Sequence, residues 1–211
     1  MRPTRLLLIR HGKTEGTPGV LYSQQDVPLS EEGWRQTETL IEGLKTVPLQ
    51  AVYTSDLSRA RLAAERLAEL TRAPLHVTKK LREIDFGAWS GKHFRELLEL
   101  PEFKERLKDP ERIAPPGGES LRDLARRAGE VIEEIRQRYP GGLVAVFTHG
   151  GLLRVVIAEA LGAGLKNFFR LQQDYAAVNL IDFFPEGPVV GLVNGPFDLN
   201  FRTLLERESL V

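Results

Sequence analysis

Arg5-Leu6-Leu7-Leu8-Ile9-Arg10-His11-Gly12 is the stretch on which the fold turns. An apolar run without alternation fits a strand buried on both faces, the condition of a parallel strand between two layers of helices. The run stops at two basic side chains and a glycine, which suit the carboxyl end of such a strand. A second stretch repeats the pattern: Leu143-Val144-Ala145-Val146-Phe147 runs into Thr148-His149-Gly150-Gly151.

The segments around these strands read as helices and further strands. Ser30 is predicted to cap a helix with Glu31 and Glu32 in its first turn, and Trp34, Thr37, Leu40, Ile41 and Leu44 follow at helical spacing. Pro48 closes it. Residues 50–54 form a short strand, and Ser55-Asp56 start a helix carrying Leu57, Ala60, Ala64 and Leu67. Residues 75–78 read as another short strand. Ser120 and Asp123 form a capping box with Asp in place of Glu. Leu121, Leu124, Ala128, Val131 and Ile135 make the apolar stripe of a long helix that Pro140-Gly141-Gly142 stops. A helix over 152–161 with Gly162 past its end, and strands over 177–183 and 189–193, complete the chain. This alternation predicts a three-layer α/β/α sandwich with a mostly parallel central sheet. One domain is expected over residues 1–211, with a partly helical insertion at 79–118 over one end of the sheet.

Composition narrows the function classes. Of 211 residues, 42% are hydrophobic, enough for a large core and against global disorder. Lys plus Arg and Asp plus Glu both number 29, so the net basic footprint of a nucleic-acid binder is missing. No apolar run approaches the length of a membrane span, and no secretory leader pattern opens the chain, so a cytoplasmic protein is the expectation. The absence of cysteine excludes disulfides, thiolate catalysis and Cys-based metal sites. Arg outnumbers Lys and Asn is scarce, a bias that a thermophile or genome composition would each produce.

Ligands of open α/β sheets bind beyond the carboxyl ends of the strands. Here those ends carry Arg10-His11-Gly12, Ser55-Asp56-Leu57-Ser58-Arg59 and Thr148-His149-Gly150. Two His and two Arg in such contexts point to an anion site, because a guanidinium fork matches phosphate oxygens and a neutral imidazole is a nucleophile. Glycine beside each His permits close approach of a ligand to the backbone. The set suits phosphoryl transfer without a metal or other cofactor. Competing motifs fail. Gly12-Lys13-Thr14 imitates the end of a P-loop, but Leu7 occupies the required first glycine. No Gly-x-Ser-x-Gly elbow and no His-Glu-x-x-His pair occurs, and Gly162-Ala163-Gly164 is an incomplete dinucleotide fingerprint.

Several motifs then occur in order. Leu8-Ile9-Arg10-His11-Gly12 resembles the signature of the histidine phosphatase superfamily, the phosphoglycerate mutase-like proteins. The segments 26–33, 54–60, 81–91, 116–120 and 148–151 resemble its later motifs, and 194–199 resembles its C-terminal strand motif more weakly. The resemblance implies that His11 attacks phosphorus and becomes phosphohistidine. It implies that Arg10, Arg59 and a protonated His149 clamp the phosphoryl oxygens, with the Gly150 amide facing them. It implies that Glu83 protonates the leaving alkoxide, ahead of its competitors Asp85 and Asp56. Asp56 reads better as a helix cap or an arginine partner. The Gly12 carbonyl is expected to hold the His11 ring proton. His76 reads as structural, His93 as a weak candidate for substrate contact, and Trp34 and Trp89 as packing residues.

Three positions depart from the family pattern. Lys13 stands where Glu or Gln is usual, Thr17 where many relatives carry a phosphate-binding Asn, and Gln24 where Gly is common. Thr17 keeps a hydroxyl donor and is retained as a substrate contact. Family mutases carry a Tyr-bearing segment after the acid and an adjacent Arg pair in their insertion. Here the acid is followed by Ile84-Asp85-Phe86-Gly87, and residues 92–118 hold no such pair. The resemblance is therefore to the phosphatase branch, which includes α-ribazole phosphatase and broad-specificity phosphatases. The expected function is hydrolysis of a small phosphorylated metabolite. A cofactor-dependent mutase and a silent ligand-binding or partner-binding relative are the alternatives, the latter disfavoured because all five core residues are present. A homodimer is left open.

Overall fold

The computed structural model describes residues 2–206. Strand β1 (Thr4–Arg10) leads through a loop to α1 (Glu31–Leu44), β2 (Ala51–Thr54), α2 (Ser58–Thr71) and β3 (Leu75–Val77). Two short 3-10 turns (Lys79–Leu81 and Gly87–Trp89), α3 (Phe94–Leu97) and α4 (Pro101–Lys108) fill the next segment. Then come α5 (Leu121–Arg138), β4 (Leu143–Thr148), α6 (Gly150–Ala160) and a 3-10 turn (Leu165–Arg170). Antiparallel β5 (Val178–Phe184) and β6 (Gly187–Gly195) and the short α7 (Phe201–Leu205) follow.

The sheet order is β3-β2-β4-β1-β5-β6. The first four strands are parallel, and β5 runs antiparallel to both β1 and β6. Each central strand is apolar throughout because it feeds two cores. Leu6 and Leu8 face the layer of α5 and α6, whereas Leu7 and Ile9 face α1, α2 and α7. In β4, Val144 and Val146 join the first core, and Ala145 and Phe147 the second. This period-two division is the α/β/α sandwich expected from the sequence. The stripe of α5 is also as expected: its buried residues are Leu121, Leu124, Ala128, Val131 and Ile135. Each of its Leu, Val and Ile side chains contributes roughly 1.5–3 kcal/mol when fully buried. Ser120 and Asp123 close the capping box. Gly162 ends α6 with φ +61°, its N–H donating to Glu159 O and the Ala163 N–H to Ala158 O, a Schellman closure.

Two local expectations are corrected. Trp34 is not a packing residue: it is 40% exposed, and Gly33 takes the buried position one residue earlier. At that point α1 lies against the loop after β1. A Cβ on Gly33 would overlap the Lys13 carbonyl, and a Cβ on Gly12 would press on the Gly33 carbonyl, so no side chain fits. The second correction concerns α2, which begins at Ser58 rather than at Ser55-Asp56. Its first turn is capped from outside: Asp26 Oδ1 accepts from the Ser58 N–H at 2.9 Å and the Ser58 hydroxyl at 2.7 Å. Ser55 and Asp56 are engaged elsewhere. Trp89 does pack, forming with Leu97 and Phe103 a small separate core beneath the segment before α5.

Two glycine substitutions are expected to have opposite signs. Gly33→Ala forces backbone apart at the α1–loop contact and should lower unfolding free energy by about 1–3 kcal/mol. Gly129, within α5, has open space where a Cβ would stand. Gly129→Ala should therefore raise stability by about 0.5–1 kcal/mol. Urea unfolding of both variants checks the pair.

Candidate active site

Strands β1 and β4 are adjacent, yet the chain leaves β1 toward α1 on one face and leaves β4 toward α6 on the other. A crevice opens at such a divergence. The parallel register sets Arg10 opposite Thr148, and the His11 N–H donates to Thr148 O at 3.0 Å. His11 and His149 thus emerge side by side, with ring centroids 5.1 Å apart. Strand β2 ends beside them, and the Ser55 hydroxyl lies 2.7 Å from His149 Nε2.

A cleft of about 170 Å³ is lined by Arg10, His11, Thr14, Arg59, Glu83 and Tyr175, among others. His149 is fully buried behind His11. Gly150 is buried against Arg10, whose Nε would lie 3.2 Å from a Cβ placed there. His11 Nδ1 is 2.8 Å from the Gly12 carbonyl, which assigns the ring proton to that nitrogen and leaves Nε2 unprotonated. Burial, reinforced by the Arg10 and Arg59 charges, holds His11 well below the ordinary histidine value, and the Gly12 contact opposes this only in part. Burial also holds His149 well below it, followed by the charges of His11, Arg59, Arg10 and Arg127. The protonated His149 expected beside phosphate is not its state in the protein by itself, where the ring is neutral at neutral pH.

Backbone carbonyls hold both arginines. Arg59 is buried, and its Nη1 and Nη2 donate to Gln25 O at 2.6 Å and Ser23 O at 2.9 Å. Ser23 adopts φ +55°, an uncommon conformation for a residue with a side chain, and carries that carbonyl. Arg10 Nη1 donates to Gln173 O at 2.6 Å, and its guanidinium lies 4.1 Å from the Tyr175 ring centroid. Arg10 Nε and His149 Nδ1 are buried without a hydrogen-bond partner among the described residues.

Glu83 stands at the edge of this basic cluster. Its Oε1 accepts from the Gly151 N–H and the Ile84 N–H, each at 2.9 Å. The first of these is an unpaired amide at the start of α6, where a negative charge is favoured. The backbone behind Glu83 is braced by Arg127, which donates to the carbonyls of Lys80, Arg82 and Glu83 and pairs with Glu119 at 2.6 Å. Gln24 donates to the Glu83 carbonyl at 3.1 Å.

The remaining candidates fall as follows. Asp85 accepts from the Gly87 N–H, and Asp56 grips Arg82 with two contacts of 2.6 Å, so neither competes with Glu83. Asp56 is the arginine partner and not the helix cap. Thr17 is exposed and its N–H donates to Tyr22 Oη, so the structure does not bring it to the cleft. The bridge between Thr14 and Leu29 turns Thr14 inward instead. Lys13 is exposed and paired with Glu32. His93 caps α3, accepting from the Arg95 N–H, and His76 contacts Tyr139 Oη. Sequence reasoning missed Ser55, Tyr175, Gly151 and the Arg127–Glu119 brace. Gly151 had a signal as the second glycine after His149, Ser55 as a polar residue at the end of β2, and Glu119 in the motif at 116–120, but their contacts were not read. Among the described residues, no three His, Asp or Glu side chains gather as a metal site would require.

Comparison with known proteins agrees with this geometry. A bifunctional protein of Mycobacterium tuberculosis is 38% identical over 196 residues, 91% of this chain and 54% of that protein, so the chain spans about half its length. Phosphoserine phosphatase 1 of Hydrogenobacter thermophilus is 32% identical over 180 residues, covering 84% of this chain and 85% of that one. The crystal structure of the α-ribazole phosphatase from Shigella flexneri superposes with a TM-score of 0.81 at 25% identity, over 91% of this chain and 96% of that one. The profile of branch 1 of the histidine phosphatase superfamily matches residues 6–195, and the chain belongs to that superfamily.

Proposed function

We propose that the chain hydrolyses phosphomonoesters of small metabolites through a phosphohistidine on His11, without a metal ion. The observation that carries this reading is the pair of buried, unpartnered nitrogens, Arg10 Nε, a donor, and His149 Nδ1, a donor once the ring is protonated, beside an imidazole whose Nδ1 is fixed by Gly12. Phosphate oxygens are acceptors that such donors suit. His11 Nε2 attacks phosphorus, the ester P–O bond breaks, and Glu83 gives its proton to the departing alkoxide. Water then attacks the phosphohistidine, the N–P bond breaks, and Glu83 takes back a proton. The products are an alcohol and inorganic phosphate.

Arg10, Arg59, His149 and the Gly150 amide stabilise the charge on the transferred group. His149 is neutral before substrate arrives. A phosphate dianion placed beside it favours the imidazolium, so substrate charge and the His149 proton arrive together.

The reading is tested by p-nitrophenyl phosphate hydrolysis in EDTA. Turnover should persist in the wild type and fall by at least about a thousandfold in His11→Ala. Turnover that survives His11→Ala, or that requires added metal, would overturn it. Glu83→Gln should cost about 10²–10⁴-fold on phenyl phosphate and much less on the p-nitrophenyl ester, whose leaving group needs little protonation. An equal loss on both would remove Glu83 from the acid role. The pH profile has a definite sign. Catalysis needs neutral His11, and burial lowers its pKa, so the acid limb of kcat/KM should lie below about pH 6.5, the unperturbed value.

A further inference from the structure

The cleft at His11 adjoins a second cavity of about 260 Å³, and Leu21, Glu83 and Phe86 line both. The second cavity is mostly apolar, with Phe94, Phe103, Phe168 and Phe169 in its walls. Two guanidinium groups interrupt that lining. Arg106, on α4, is only 4% exposed; it donates to the Ile113 carbonyl and lies 5.8 Å from the Phe86 ring centroid. Arg154, on α6, is half-buried; its Nε donates to Leu171 O at 2.7 Å and its guanidinium lies 5.3 Å from the Phe168 centroid.

Neither arginine forms an ion pair among the described residues, whereas Arg82 and Arg127 nearby each grip a carboxylate. The charges lining the cavity are these two cations against Glu83, whose carboxylate is already taken by two amides. Burial pulls Arg106 down to about 10, so it still carries its charge at neutral pH. A buried guanidinium outside an ion pair is costly: Glu119 offsets the burial of Arg106 only in part and is itself paired with Arg127, and a carbonyl uses one of its five donors. Bracing the turn at Ile113 accounts for one contact and not for a second cation in the same cavity.

We infer that this cavity receives the leaving group of the substrate and selects an apolar or aromatic alcohol bearing a carboxylate, which Arg106 and Arg154 bind. The assignment rests on the phosphatase reading above. It places Glu83 at the junction, where the bond between phosphorus and leaving oxygen would lie, and the carboxylate deeper among the phenylalanines.

The test compares the phosphate ester of 3-(3-hydroxyphenyl)propanoate with that of its carboxamide. The two have the same shape and, with two methylenes between ring and carbonyl, nearly the same leaving-group acidity. Wild-type kcat/KM should favour the carboxylate by at least about tenfold. The ratio should fall toward one in Arg106→Gln and in Arg154→Gln, and Arg106→Lys should keep part of it. Because the ratio is taken within each variant, a loss of folded protein cancels. A wild-type ratio near one with both esters hydrolysed overturns the leaving-group assignment and leaves the phosphatase reading intact. If no ester is hydrolysed, p-nitrophenyl phosphate included, the phosphatase reading fails. Calorimetry with the free acid and free amide then decides the cavity: tighter binding of the acid, lost in Arg106→Gln, supports it, and equal or absent binding overturns it.

Discussion

The structure depends on burying positive and potentially positive groups at the ends of β1, β2 and β4 with almost no acid among them. Arg10, Arg59, His11 and His149 converge there, and Glu83 is the one carboxylate on the cleft wall among the described residues. Removing such groups from water is expensive unless each donor finds an acceptor. The acceptors here are carbonyls of Gly12, Ser23, Gln25 and Gln173, supplied by two loops, the one between β1 and α1 and the one before β5. The loops are therefore shaped by the charges they solvate. Ser23 shows the coupling most clearly. Its carbonyl accepts from Arg59, while its hydroxyl donates to Ile84 O and accepts from the Phe86 N–H, so one residue ties the phosphate-facing arginine to the segment carrying Glu83.

Using carbonyls rather than carboxylates has a chemical consequence. A carboxylate beside Arg10 or Arg59 would compete with an incoming phosphate and would raise the proton affinity of His11. Carbonyl dipoles orient the guanidinium groups and leave their net charge unspent. The acids that do occur near the site sit one layer out: Asp56 on Arg82, Glu119 on Arg127 and Asp26 on the start of α2. They hold backbone in place without entering the cleft.

The sequence made the scaffold legible where one physical requirement dominated. Leu6 to Ile9 must be buried on both sides, and the α5 stripe must face a sheet, so both were readable from apolar spacing alone. His11 and His149 were readable because a basic residue followed by glycine at a buried strand's end has few structural uses. Trp34 misled because helical spacing identifies a face but not what that face meets; here it meets a backbone carbonyl that excludes any side chain. Thr17 misled because position along a loop does not reveal which of its residues line the cleft; here Thr14, bridged to Leu29, does so. Tyr175 left no signal and Ser55 was legible only as a polar residue at a strand end, since their contacts with Arg10 and His149 join residues far apart in the chain.

Glu83 shows how the two layers of the site divide their work. In the proposed mechanism the basic cluster acts on the charge of the transferred group, and its geometry is set by strand register. A one-residue slip of β1 against β4 would turn every core side chain to the wrong face, so register and the pairing of His11 with His149 are fixed together. The proton carrier of the proposed mechanism cannot come from the same strands without adding its negative charge to the centre of the cluster. It arrives instead from the segment after β3, pinned by the α6 amide of Gly151 and braced by Arg127. That segment also borders the aromatic cavity, where Arg106 and Arg154 lie. On the proposed reading, changes in the segment before α5 alter which alcohol departs without disturbing the strand ends assigned to the phosphoryl group. Separating charge stabilisation from proton transfer and leaving-group contact in this way would let one rigid phosphate site serve different esters.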